Sequence, residues 1–144
     1  MPTDVRLTIN IQRSLNIQQV EVLKARDYFL IYNNEEDVRN IEINRQFFDE
    51  INLGTGGVIV TAKGNNSDFV SRFFTPQASI LEDPVTGSAH CSLIPYWANK
   101  LNKKEMFALQ VSKRMGEIYC IYNGDRIIIK GEAKTYSVGY LFTE

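Results

Sequence analysis

Cysteine, histidine and tryptophan are scarce in this chain, at two, one and one of 144 residues. Cys91 and Cys120 alone set up no disulfide framework, and a reduced chain is the simplest reading. One histidine, His90, and two widely spaced cysteines do not supply the ligand pattern of a structural zinc site. Charge of one sign is also lacking. The formal net charge is −1, so nothing in the electrostatics favours nucleic acid or an anionic membrane. No apolar run approaches the length that spans a bilayer. The opening Met-Pro-Thr-Asp-Val-Arg has neither the basic start nor the apolar core of a signal peptide, so a cytoplasmic location is expected. Short repeats, low-complexity tracts and internal linkers are absent. The glycines at 54, 56 and 57 precede a strand pattern, not a helix, and form no phosphate-binding or dinucleotide motif.

What is present is an ordinary globular composition, 44% hydrophobic and 23% charged. It is expected to form one domain, 1–144, burying about two-thirds of its unfolded surface. Period-two alternation predicts a strand over Val5 to Ile11, followed by strands over Val20 to Leu23 and Tyr28 to Tyr32. The charged segment Asn33 to Asn40 reads as a loop or a single helical turn. Ile43 to Ile51 has helical spacing, with Asn44 as a cap. Strands are expected at Val58 to Ala62 and Phe69 to Phe74, joined by the turn Lys63-Gly64-Asn65-Asn66-Ser67. After the central stretch come strands at Phe107 to Val111, Glu117 to Tyr122 and Arg126 to Lys130, the last two joined at Asn123-Gly124-Asp125. Tyr136 to Phe142 reads as a closing strand.

The central stretch is 82–101. A polar turn, Glu82 to Ser88, opens into a helix with Ala89, Leu93, Trp97 and Leu101 every fourth residue and Cys91, Ile94 and Ala98 beside them. Such a helix belongs inside a protein. Pro95 lies past its first turn and predicts a kink or break. Cys91 and Cys120 both read as core residues. The first turn of a helix has free N–H groups and the positive end of the dipole, so it takes either a cap or an anion. Ser88 could cap it alone. Gly87 would let a ligand approach the backbone, and Asp83 adjoins the turn as a group able to cap backbone donors, orient a ligand or move a proton. His90 is open to a general-base role or to a hydrogen-bonded structural one, the commoner for this position. Many strands with one apolar helix suggest a curved sheet around that helix, although the pattern alone also allows a hot-dog arrangement.

Glu82-Asp83-Pro84-Val85-Thr86-Gly87-Ser88-Ala89-His90-Cys91 resembles the signature of the PhzF-like family of phenazine biosynthesis, relatives of diaminopimelate epimerase. The likeness extends through Thr61-Ala62-Lys63-Gly64, Asp68 to Phe74, Pro76, Pro95-Tyr96-Trp97, Gln110 to Arg114 and Gly131-Glu132-Ala133. It is dense from about Gly56 to the C-terminus. The resemblance implies an α+β, diaminopimelate epimerase-like half-domain: a curved, mostly antiparallel sheet or barrel around one central apolar helix. It also implies a cofactor-independent isomerase or epimerase that holds no metal and relocates a proton on a small carboxylate-bearing substrate. Asp83 would be the catalytic residue, and Thr86, Gly87 and Ser88 would bind the substrate carboxylate. Arg72 and Arg114 match family positions; carboxylate clamping and structural ion pairing are both open to them.

The family's chains are about twice this length, and only their second half is matched. No second Thr-Gly-Ser-Ala turn lies between Met1 and Leu81. The expected partners are therefore a first-half PhzF-like chain or a second copy making a dimer, with a small carboxylate bound between. The alternative is a non-catalytic carboxylate-binding module or an inactive fragment.

Overall fold

A computed structural model describes residues 3–4 and 9–144. Its centre is one mixed sheet. The strands are β1 (Thr3–Asp4), β2 (Glu21–Lys24), β3 (Tyr28–Ile31), β4 (Val58–Lys63), β5 (Phe69–Phe74), β6 (Glu82–Asp83), β7 (Glu105–Gln110), β8 (Gly116–Tyr122) and β9 (Ile127–Lys130). The order across the sheet is β1-β2-β3-β4-β5-β7-β8-β9, with β6 paired to β5 off this row. The β3–β4 and β5–β7 pairs are parallel and the others antiparallel. The row ends at β1 and β9 without joining them, so the sheet is open, which corrects the barrel form of the expectation.

Strand side chains alternate between two faces, and the sequence supplies apolar residues for both. Phe29, Ile31, Ile59, Phe69, Phe73, Met106, Ala108, Ile118 and Cys120 pack against one helix, α4 (His90–Leu101), through its Leu93, Ile94, Trp97 and Ala98. Their neighbours Tyr28, Leu30, Val58, Val60, Val70 and Phe74 face the opposite way. There they meet α1 (Ile9–Ser14), α2 (Glu35–Arg39) and α3 (Arg45–Phe48) through Ile11, Val38 and Phe48. A sheet covered on both sides explains why β3 and β4 read as nearly continuous apolar runs. Each fully buried Leu, Ile or Phe adds about 1.5–3 kcal/mol.

Local chemistry sets the helix boundaries. Asn34 accepts from the Asp37 N–H and Asn44 from the Gln46 N–H, so α2 and α3 begin at side-chain caps. α4 ends at Asn102, whose backbone is left-handed at φ 52. The helix continues through Pro95, where a break was expected. Proline removes the bond to the carbonyl of Cys91, and Cys91 lies on the exposed side of the helix, where a carbonyl without an intrahelical partner costs least.

Three further expectations are corrected. Ile9, Asn10 and Ile11 are helical, not a continuation of a strand; the Val5 to Thr8 part of that prediction lies outside the described residues. Cys91 is exposed rather than core, while Cys120 is buried as expected. The segment 131–144 forms no strand and is exposed throughout. Tyr136, Tyr140 and Phe142 are 101%, 90% and 98% exposed. Alternation alone does not make a strand, because its N–H and C=O groups need a ladder.

Candidate functional site

The turn between β6 and α4 is held from beneath by β7 and the residues after it. Gln110 is the main clasp. Its Oε1 accepts from the Thr86 N–H at 2.7 Å, and its Nε2 donates to the Asp83 carbonyl at 2.9 Å and to Thr86 Oγ1 at 3.2 Å. Thr86 Oγ1 in turn donates to Asp83 Oδ2 at 2.8 Å. The Ser112 hydroxyl donates to the Pro84 carbonyl at 2.8 Å. Gly116 lets Val85 lie close, because a Cβ there would meet Val85 Cγ2 at 2.4 Å and push that side chain aside. Thr86 and Gln110 are buried, whereas Asp83 is half-buried with its carboxylate fixed but reachable by solvent.

Glu82 and Arg72 have a different use. Arg72 grips Glu82 with two parallel bonds of 2.7 and 3.0 Å and donates to the carbonyls of Val38, Arg39 and Ile41. Each nitrogen of the guanidinium thus donates to a bond that ties β5 to β6 or to the end of α2 and the residues after it. Arg72 is a structural clamp.

The start of α4 has no side-chain cap. Ala89 occupies the cap position with helical backbone. Ser88, a cap candidate by sequence, instead accepts from Arg26 at its hydroxyl, at 3.1 Å. The N–H groups of His90, Cys91 and Ser92 reach back to the carbonyls of Gly87, Ser88 and Ala89. Among the described residues, none accepts from the N–H groups of Gly87 and Ser88, and both residues are exposed. Two free donors at the positive end of a twelve-residue helix favour an anion.

Arg26 is the residue that sequence reasoning missed. Its guanidinium is bonded to Asp27 by two contacts, 3.2 and 2.9 Å, and Asp27 is itself fixed by the Gly57 N–H at 2.8 Å. Asp27 is 4% exposed against 52% for the Arg26 side chain. A buried carboxylate thus aims a solvent-facing cation at Ser88, and the hydrogen bond to Asp27 raises the Arg26 pKa further. The signal in the sequence was only a turn, Ala25-Arg26-Asp27; nothing local reveals a partner 62 residues away.

His90, fully buried, places Nδ1 2.7 Å from the Thr86 carbonyl. Burial pushes its pKa down, partly opposed by that carbonyl. Cys120 is pushed up to about 12 by burial, which removes it as a base or nucleophile near neutrality. Among the described residues Arg114 forms no hydrogen bond or ion pair with the turn. Among the described residues no three His, Cys, Asp or Glu side chains gather as metal ligands, and no helix is long and apolar enough to cross a membrane.

The site therefore sets a half-buried carboxylate, Asp83, beside two free and exposed amides at the start of α4 in a domain of mixed sheet and helices. The chain belongs to the phenazine biosynthesis-like protein family, whose pattern matches residues 5–139. It is 45% identical over 139 residues to an uncharacterized isomerase of Pseudomonas aeruginosa, covering 96% of this chain and 52% of that protein. A phenazine biosynthesis-like domain-containing protein of Homo sapiens is 39% identical, over 75% of this chain and 41% of that one. The fold matches the crystal structure of a phenazine biosynthesis protein of the PhzF family from Enterococcus faecalis. There the TM-score is 0.88 at 40% identity, covering 95% of this chain and 52% of that chain. The chain thus spans about half the length of the relatives it matches.

Proposed function

We propose that this chain is one half of a PhzF-like isomerase or epimerase site, relocating a proton on a small carboxylate-bearing molecule without a cofactor. The observation that carries this reading is the Asp83 carboxylate, tied through Thr86 to Gln110 beside the free N–H groups of Gly87 and Ser88. In this reading Gly87 and Ser88 receive the substrate carboxylate, with Arg26 adding a fixed positive charge and Thr86 holding the turn. Asp83 orients the substrate or moves its proton. Proton relocation on carbon needs a donor and an acceptor on the substrate together, and this turn supplies one carboxylate. A first-half PhzF-like domain, or a second copy in a dimer, supplies the other in a diaminopimelate epimerase-like cleft. Two copies would face two Asp83 groups across one cleft, an arrangement able to share a proton. An exposed and a buried free cysteine suit a reducing, cytoplasmic compartment. No nucleic acid or membrane is among the proposed partners.

The test is deuterium wash-in from heavy water at the carbon next to the carboxylate. Amino and hydroxy acids are supplied to the concentrated chain, alone and with the first-half domain of a relative added. Exchange that appears with the complete cleft and vanishes in Asp83→Asn, with the fold intact, is the expected result. Undiminished exchange in Asp83→Asn removes Asp83 from the chemistry. Carboxylate binding without exchange under any pairing favours the binding-module reading.

A further inference from the structure

One buried side-chain polar atom among the described residues has no hydrogen-bond partner, and it is Nε2 of His90. The ring's other nitrogen, Nδ1, lies 2.7 Å from the Thr86 carbonyl oxygen. A carbonyl only accepts, so Nδ1 carries the proton and Nε2 of the neutral ring keeps its lone pair. Burial opposes adding a second proton. Nε2 is therefore an acceptor without a donor, held in one tautomer, on a side chain with no solvent exposure. Native interiors keep few such atoms, and each calls for an explanation.

The surroundings supply one. His90 lines a cavity of about 590 Å³ together with Val85, Gly87, Ile118, Glu117 and Ile129. Gly87, one of the residues with a free N–H, is thus on the same wall as the orphaned ring. Gly87 faces Ile129 here: a Cβ on Gly87 would come to van der Waals contact, 3.4 Å, with Ile129 Cδ1. The cavity wall mixes the apolar side chains of Val85, Met115, Ile118 and Ile129 with the polar ones of His90, Glu117, Lys130 and Glu132.

The geometry points to His90 as the polar anchor of a ligand subsite in this cavity, with Nε2 accepting the O–H or N–H of a small carboxylate whose anionic end meets Gly87 and Ser88. The carboxylate half of this statement rests on the function proposed above; the His90 half rests on the orphaned nitrogen. Glu117 and Glu132 on the cavity wall favour an ammonium donor, and Lys130 beside them opposes one, so the donor's identity is left to the probes.

His90 is the chain's single histidine, so labelling histidine rings with nitrogen-15 yields one pair of ring signals. The whole chain is titrated with acetate, glycolate and glycine. All three carry a carboxylate, the second adds a hydroxyl and the third an ammonium. The expected result is a free chain with Nδ1 protonated and Nε2 bare, a Gly87 amide shift with all three, and an Nε2 shift with glycolate or glycine but not acetate. If Gly87 responds to all three while Nε2 stays unmoved, the inference falls and the carboxylate reading stands. If Nε2 responds to a donor probe while Gly87 does not, the carboxylate reading falls and the His90 subsite stands. A free chain whose Nε2 already carries the proton overturns the inference, as does a permanent hydrogen bond from ordered water that no probe disturbs. As a second readout, His90→Gln weakens glycolate or glycine binding about fivefold to tenfold and leaves acetate unchanged. Equal weakening of all three probes contradicts a donor-specific contact.

Discussion

Two segments border the same cavity and could hardly be built more differently. The turn leading into α4 contributes Val85, Gly87 and His90, and the segment after β9 contributes Gly131 and Glu132. The turn is over-determined: Gln110, Ser112 and the Thr86–Asp83 bond fix its backbone from beneath. The segment 131–144 is exposed along its whole length and forms no strand or helix. One wall is preorganised in the way binding and catalysis require; the other is open. In the proposed reading the chemistry belongs to the rigid wall and the missing half of the cleft to the open one.

The largest effect that sharpens this contrast is in the helix behind the rigid wall. Trp97 stacks on Phe69 with ring centroids 5.8 Å apart and donates to Thr61 Oγ1 at 3.0 Å. Trp97→Ala should cost about 3–5 kcal/mol in denaturant unfolding. A loss under about 1 kcal/mol would mean that α4 is not the core the wall rests on. Next comes Gln110→Ala, which strips the Thr86 N–H and the Asp83 carbonyl of their partner in a buried setting. It should cost about 1–3 kcal/mol and broaden or shift the amide signals of 83–88, while leaving those of β2 and β3 in place. Unchanged amides across the turn would show that Gln110 does not hold it.

A smaller effect is read from pH. Burial depresses the His90 pKa below its ordinary 6.5, so the unfolded chain binds that proton more readily than the folded one. The corresponding stability is fully present above about 6.5 and is lost as pH falls through the window beneath it. Glu35 and Asp49 are also lowered. Burial pushes Glu35 up, but the Asn65 N–H and Arg39 together outweigh it; the Gln77 N–H and Arg45 pull Asp49 down. Their losses set in only beneath their ordinary 4.5 and 3.8. With one histidine in the chain, unfolding measured between pH 6.5 and 4.5 reports His90, whose surroundings are Phe69, Thr86 and the cavity's Glu117, Lys130 and Glu132. Stability that rises on acidification through this window would place a proton on the buried ring. The smallest effect belongs to the open wall: ending the chain after Lys130 should change unfolding stability by less than about 0.5 kcal/mol, as for exposed positions in general. A large loss would mean that 131–144 is packed in solution.

The sheet was legible because most of its strands are short runs rich in β-branched and aromatic residues and several of its turns carry Gly, Asn and Asp; β2 to β5 and β7 to β9 fall within a residue or two of expectation. The turn of 82–88 was legible from residue type and from the family likeness. What was not legible depended on distant partners. Ile9 to Ile11 alternates like a strand, but Ile11 and Ser14, three apart, are the residues that become buried, which is helical spacing. Cys91 looked like core because most neighbours on its helix are apolar, yet the sheet covers only the side bearing Leu93, Ile94 and Trp97. Arg26 had no local mark at all: its place at the site follows from β2–β3 pairing and from the Asp27–Gly57 bond. The alternation of Tyr136, Val138 and Tyr140 is real, but a pattern cannot supply the neighbouring strand it needs.

The central claim is that the uncapped start of α4, with Arg26 beside it, receives a carboxylate. The most direct measurement is the amide nitrogen–proton spectrum of the whole chain as acetate is added at constant ionic strength, for the native sequence and for Arg26→Gln. The account predicts saturating shifts centred on Gly87 and Ser88, with weaker binding in Arg26→Gln. Shifts that are absent there, or centred on another surface, would contradict it.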